Sequence, residues 1–284
     1  MNFLLEPQVL ATGFNFGESP RWHDGRLWLC NWGTSEIVTL DADGNADIVA
    51  EVDTTVPYSI DWLHDGRLLV VSGQEGLLLR QEPDGTMVTH ADLTGLARVC
   101  NEIVVDGRGN IYVNGGNANP IAGEAEPGFI FHIGPTGDVR RVADDIEFGN
   151  GMAVTPDNST LIVAESYGRR LSAFDIGPDG GLSNRRVWAD LGDGVPDGIC
   201  LDADGAVWYA DVPNQRCMLV REGGEVLAIV PVDRGCFACM LGGPDGTTLY
   251  IAAAQWGGMD KMGGDRRTGQ VLTVTAPTAA AGWP

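Results

Sequence analysis

Glu18, Asn150 and Asp197 are the residues of this chain whose types and spacing could do chemistry. Each is the second residue of a short motif: GESPRWHDGRLWLC from Gly17, GNGMAVTPDNSTLIV from Gly149 and PDGICLDADGAVWYA from Pro196. Three more motifs share the shape: YSIDWLHDGRLLVV from Tyr58, CNEIVVDGRGNIYV from Cys100 and CFACMLGGPDGTTLYI from Cys236, with Ser59, Asn101 and Phe237 at the second place. If the six motifs are equivalent, their second residues encircle one point and push two carboxylates together. Like charges so placed need protons or a cation. A hard divalent cation held by Glu18, Asp197 and the amide oxygen of Asn150, with water completing the shell, resolves the conflict. None of His23, His64, His90 and His132 stands at such a position, which disfavours a histidine-bound zinc site. The ion is left open among Ca, Mn, Mg, Zn and Fe(II). Taken singly, each residue reads equally well as a polar plug that fixes a strand start; the argument for a metal rests on the set.

The six positions are 41, 42, 49, 47 and 40 residues apart. Each motif is a short apolar run, a turn rich in Asp, Asn and Gly, and a second strand-like run. A period of ~40–50 residues with turn signals inside each unit is the mark of a β-propeller. The prediction is therefore an all-β, six-bladed β-propeller, with four antiparallel strands per blade and one domain over residues 1–284. In the first unit the strands are predicted at Ser19–Trp22, Arg26–Asn31, Glu36–Asp41 and Asp47–Val52. The sixth unit lacks a strand of its own, which would leave an exposed edge. We expect Gln8–Gly13 to pair with Gln270–Thr275 there and close the ring. The final TAPTAAAGWP is expected to be loosely held. The layout puts the DG turns on one face and the six anchors on the other. Two long insertions, Asn114–Gly128 and Gln255–Gly269, then lie on the anchor face as candidate lids.

The chain carries 18 basic and 39 acidic residues, a formal charge of −21. That repels phosphate backbones and anionic membranes, so no nucleic-acid or membrane partner is expected; a monomer or weak homo-oligomer is. No stretch is long and apolar enough to span a bilayer, MNFLLEPQVLATG does not read as a signal peptide, and cytoplasmic residence fits. Cys30, Cys100, Cys200, Cys217, Cys236 and Cys239 are too few in 284 residues for a disulfide framework. Cys236-x-x-Cys239 lacks a βαβ context and reads as packing thiols. There is no G-x-S-x-G, and Ser59 has no equivalent histidine, so a Ser–His–Asp hydrolase is unsupported. The glycine pairs lie in turns, which removes dinucleotide and P-loop readings. Trp32, Tyr58, Phe148, Tyr167, Phe237 and Trp256 fall near the anchor face and could line a pocket or simply pack.

GESPRW with Glu18, CNEIVVDGRGNIYV with Asn101, FGNGMAVTPD with Asn150 and VPDGICLDADGAVW with Asp197 resemble the SMP-30/gluconolactonase/LRE-like family. The later GGPDGTTLYI also looks like it, and the motifs run in order along the whole chain. The resemblance implies a six-bladed propeller with one divalent metal, often hydrolysing sugar lactones. It implies Glu18, Asn150 and Asp197 as metal ligands, Asp197 also as general base or acid, and Asn101 as a substrate contact. One departure matters. Lactonase members usually carry an arginine two residues before that asparagine; here the place holds Val99, with Arg98 one residue off, and Glu102 replaces the usual aspartate. A one-residue shift in a strand turns a side chain to the other face. The leading reading is a metal-dependent lactone or ester hydrolase whose candidate substrate contacts are Asn101, Arg98, Glu102, Tyr58, Phe148, Phe237 and Trp256. The alternatives are another electrophilic reaction at the same centre, or a metal-stabilised binding propeller without turnover.

Overall fold

The computed structural model describes residues 3–118, 124, 126–258 and 266–284. Six antiparallel sheets of four principal strands follow one another along the chain. Their inner strands are Phe16–His23, Tyr58–Trp62, Val99–Val105, Gly149–Val154, Pro196–Asp202 and Gly235–Gly242. Each inner strand packs on the next, and the sixth returns to the first. This is a six-bladed β-propeller.

Local sequence accounts for the strand reversals. In blade one, His23 pairs with Arg26, and the two residues between them, Asp24 and Gly25, have φ of 48° and 74°. Positive φ at both central positions is the backbone of a two-residue hairpin turn whose twist suits the flanking strands. The strands of that blade, Phe16–His23, Arg26–Trp32, Glu36–Leu40 and Ala46–Glu51, lie where the pattern predicts them. The core sits between blades. Leu69, Val71, Ile103, Val113 and Phe131 join blades two and three; Ala153, Ile162, Leu171, Tyr209 and Val220 join four and five. Each buried aliphatic side chain contributes roughly 1.5–3 kcal/mol, so every blade depends on its neighbours. All six cysteines are buried and free.

The ring closes as expected. Gln8–Phe14 is the outer strand of blade six, antiparallel to Gly269–Thr275. Just before it, Phe3–Leu4 lies parallel to the outer strand of blade five, Val226–Pro231.

The expectation of a loose final segment is wrong. Ala280 and Ala281 pair with Asp202 and Leu201 on the channel side of the inner strand of blade five. Trp283 exchanges two backbone hydrogen bonds with Val154 of blade four, at 2.7 and 2.9 Å, and its ring lies against Gly107 of blade three. Residues 276–284 thus cross the turn face beside the inner strands. A run of small residues carries no inward-facing pattern, but backbone pairing needs none.

Asn114, expected to open a lid, ends up buried within the strand Ile111–Gly116. Of the two insertions, residues 119–123, 125 and 259–265 lie outside the described residues. Among the described residues, no helix is long and apolar enough to cross a membrane.

Candidate metal centre

The anchors lie inside the inner strands and not at their starts. The ladder of blade three skips between Cys100 and Ile103, that of blade four between Gly149 and Met152, and that of blade five between Pro196 and Ile199. These gaps hold Asn101, Asn150 and Asp197. Blade one breaks between Glu18 and Arg21, and blade six between Cys236 and Ala238, around Phe237. A bulge leaves a residue unpaired and re-aims its side chain. Blade two, with Ser59, pairs without interruption.

Bonds between blades hold these bulges together around the channel. Ser59 Oγ donates to the carbonyl of Asn101 at 2.8 Å, and Asn101 Nδ2 to the carbonyl of Gly149 at 3.3 Å. Asn114 Nδ2 donates to the carbonyl of Asn150 at 2.6 Å, while its Oδ1 accepts the Glu102 N–H at 3.2 Å. The Asn150 side chain hydrogen-bonds the carboxyl of Asp197. Ser166 Oγ donates to the carbonyl of Pro196 at 2.7 Å, and the Cys239 thiol to that of Gly198 at 3.5 Å.

Two glycines let blades four, five and six approach. A Cβ on Gly151 would lie 2.5 Å from Ile199 N and 2.7 Å from the Asp197 carbonyl oxygen. On Gly198 it would lie 2.6 Å from Ala238 Cβ and 2.7 Å from Ala238 Cα. Sequence reasoning missed both, although each directly follows an anchor in an Asn-Gly or Asp-Gly pair. It also missed Ser19 and Arg21. Ser19 has φ 48°, a left-handed conformation uncommon for a residue other than glycine. Its Oγ donates to Glu102 Oε1 at 3.1 Å and accepts the Ile60 N–H at 3.0 Å.

The electrostatics match the expected conflict. Burial, then the charges of Asp197 and Glu102, push the Glu18 carboxyl well above its ordinary value. Asp197, part-exposed, is pushed up likewise by loss of water, then by Glu102, against the lowering effect of its bond from Asn150. Two carboxyls that both resist ionisation, beside an amide that can turn its oxygen inward, form a donor set that fits a divalent cation. Among the described residues no three His, Cys, Asp or Glu side chains gather as a metal-binding group, so the set depends on Asn150 as its third protein donor.

The other candidates are spread over the rim and the interior. Arg98 is exposed, its guanidinium 3.9 Å from Glu124. Glu102 is turned inward and buried, in a salt bridge with Arg21 at 3.1 Å. Tyr58 needs correction as a ligand contact: it is fully buried, its hydroxyl 2.8 and 3.1 Å from the carbonyls of Asn31 and Glu36 in blade one. It packs blade two on blade one. Phe237 is also buried, tilted against Phe16 and edge-on to the exposed Trp256 at 5.6 Å. Across the ring, Phe148 stacks on Tyr167 at 4.5 Å. Phe148 has φ 59°, two residues before Asn150.

Residues 16–255 match the family described as the SMP-30/Gluconolactonase/LRE-like region. A regucalcin of Xenopus laevis is 26% identical over 293 aligned positions, covering 96% of this chain and 97% of its own. The pentonolactonase XacC of Haloferax volcanii is 25% identical, covering 92% and 90%. The crystal structure of a calcium-binding protein, regucalcin, from Agrobacterium tumefaciens superposes with a TM-score of 0.78 at 20% identity and covers 99% of each chain.

Proposed function

The chain belongs to the SMP-30/gluconolactonase/LRE-like family, and from that premise we propose that it is a divalent-metal-dependent hydrolase that opens lactones, or related esters, at the anchor face of its channel. The observation that carries this is the pair of carboxyls, buried Glu18 and part-exposed Asp197, each pushed toward its protonated form beside Asn150. Such a pair is costly unless a cation compensates it. The name of the Haloferax volcanii relative supports lactone hydrolysis, and the description of the Agrobacterium tumefaciens protein supports calcium as the ion.

A cation bound there would polarise the substrate carbonyl and stabilise the charge that develops on its oxygen. The chain's own residues supply the rest. Glu18, Asn150 and Asp197, one from each of blades one, four and five, would hold the cation. Asp197 takes a proton from the attacking water and returns it to the leaving hydroxyl. Asn101, part-exposed one blade away, orients the ring through its amide. The glycine contacts at 151 and 198 fix the spacing of these groups against thermal drift.

The same centre favours substrates less polar than gluconolactone. Each buried substrate hydroxyl without a partner costs roughly 1–3 kcal/mol. Val99 offers none, Arg98 is engaged with Glu124, and the rim holds the Phe148–Tyr167 stack and Trp256. Apolar substituents there contribute about 25 cal/mol per Å² buried. The test is proton release from a panel of γ- and δ-lactones, with and without chelator. We expect metal-dependent turnover and a higher kcat/KM for an alkyl-substituted lactone than for glucono-δ-lactone. No turnover of any lactone refutes the reaction; a clear preference for gluconolactone refutes the specificity alone.

A further inference from the structure

Below the anchors the channel contains a buried ionic clasp that the proposed reaction does not use. Glu102 Oε1 receives Ser19 Oγ at 3.1 Å, Arg21 Nη2 at 3.1 Å and the Ile103 N–H at 3.0 Å. Arg21 also binds the carbonyl of Ile103 through Nη2 at 2.7 Å and that of Pro20 through Nη1 at 2.9 Å. Its Nε has no hydrogen-bond partner and lies 4.0 Å from Asp61 Oδ2. Asp61 is fixed in turn by the N–H groups of Val105 and Trp62. Every member is buried. One carboxylate oxygen joins blades one and three, and Ser19 and Arg21 carry the link on to Ile60 and Asp61 of blade two.

Its position relative to the metal centre is specific. Ser19 directly follows Glu18, and its left-handed backbone is a strained conformation that persists only where the surroundings over-determine it. Here Glu102 and Ile60 hold Ser19 from two other blades. Glu102 and Arg21 line a cavity of about 10 Å³ together with Gly151, Gly198, Ala238 and Cys239, the residues that pack behind Asn150 and Asp197. That is room for one water, within a wall that carries the orphan Arg21 Nε. The carboxylate of Glu102 is therefore committed inward, and its charge acts on Glu18 and on Asp197.

We propose that Glu102, clasped by Arg21 and Ser19, is a positioning residue for the metal centre and not a substrate contact: it fixes the bulge that aims Glu18 and adds a negative charge behind the bound cation. The proposal rests on the metal-centre reading above and assigns Arg21, 3.1 Å away, as the cation that pairs with this extra buried carboxylate.

Glu102→Gln tests it, because the amide keeps the size and shape of the side chain and loses the charge. Ca²⁺ affinity is measured by calorimetric titration and Mn²⁺ affinity by electron paramagnetic resonance, both without substrate. KM and kcat are then measured on a lactone the parent hydrolyses, at saturating metal. We expect the metal Kd to rise about tenfold or more, with KM changed less than threefold. A metal Kd within twofold of the parent overturns the proposal, whether KM rises, as for a substrate contact, or stays level, as for a purely structural residue. If Glu102→Gln does not fold, Ser19→Ala removes one donor to the same oxygen and carries the same readout. A parent that binds metal but turns over no lactone refutes the hydrolase reading and leaves the Kd comparison intact. A parent that binds no cation refutes the metal centre itself.

Discussion

Gly198→Ala places one methyl group where blades five and six touch. The new Cβ would sit 2.6 Å from Ala238 Cβ and 2.7 Å from Ala238 Cα. Carbon atoms rest at about 3.5–4.0 Å, so the two inner strands must part by roughly 1 Å. The contact is backbone and Cβ, and no rotamer can relieve it. Overpacking of this kind costs about 1–3 kcal/mol, or about 2 °C of melting temperature per kcal/mol in a chain of this size. The functional cost is larger, because Asp197 is the preceding residue. A misplacement of about 1 Å in a reacting group costs on the order of a hundredfold in rate. Differential scanning calorimetry, Ca²⁺ titration and lactone kinetics read the three effects. Gly134→Ala is the control, since its Cβ would meet nothing nearer than 3.9 Å. We expect Gly198→Ala to fold, melt several degrees lower, bind Ca²⁺ at least tenfold more weakly and lose most turnover. Parental Ca²⁺ affinity and turnover in that variant would refute the claim that close approach of the blades sets the position of Asp197.

Asp197→Asn should weaken metal binding and abolish lactone turnover, while Asn101→Ala should retain metal and lose turnover; metal loss in Asn101→Ala, measured by calorimetry, would mean that a ligand has been mistaken for a substrate contact. The raised proton affinities of Glu18 and Asp197 mean that the metal-free folded chain holds more protons than the unfolded chain above the ordinary carboxylate range. These two groups therefore make metal-free stability fall as pH rises through that window. Ca²⁺ binds their ionised forms, so the gap in melting temperature between Ca²⁺ and chelator should widen from about pH 5 to about pH 8; a constant gap would dissociate the two carboxyls from the ion. Deleting residues 278–284 removes the two backbone bonds to Val154, each contributing roughly 0.5–1.5 kcal/mol, and should lower the melting temperature while sparing Ca²⁺ affinity on the opposite face. An unchanged melting curve would show that the segment adds nothing to the ring.

What the sequence made legible is what repeats. Glu18, Asn150 and Asp197 could be aligned because each opens the same strand–turn–strand unit, and the missing strand of blade six could be assigned to Gln8–Gly13, within the observed Gln8–Phe14, because an open edge demands a partner. What it hid depends on neighbours distant in the chain. Gly151 and Gly198 look like turn glycines until Ile199 and Ala238 are brought so close that a side chain there would clash. Arg21 reads as an ordinary strand residue, since its partner Glu102 lies 81 positions away. Tyr58 has the composition of a pocket residue, and only the carbonyls of blade one show that it is core. The final segment was misread because its order comes from backbone pairing, to which a pattern of side chains is blind.

The closing strand also sets a timetable for synthesis. Gln8–Phe14 is made before any of the six inner strands, yet its partner Gly269–Thr275 follows about 260 residues later. At ~5–20 residues per second that interval is on the order of 10–50 s. During it the nascent chain presents an unpaired strand, and each new blade leaves its inner face without the neighbour it packs on. Such edges template pairing between chains. The ring cannot be completed blade by blade. Its closure waits for the last strand, and until then the open edge is exposed to other chains.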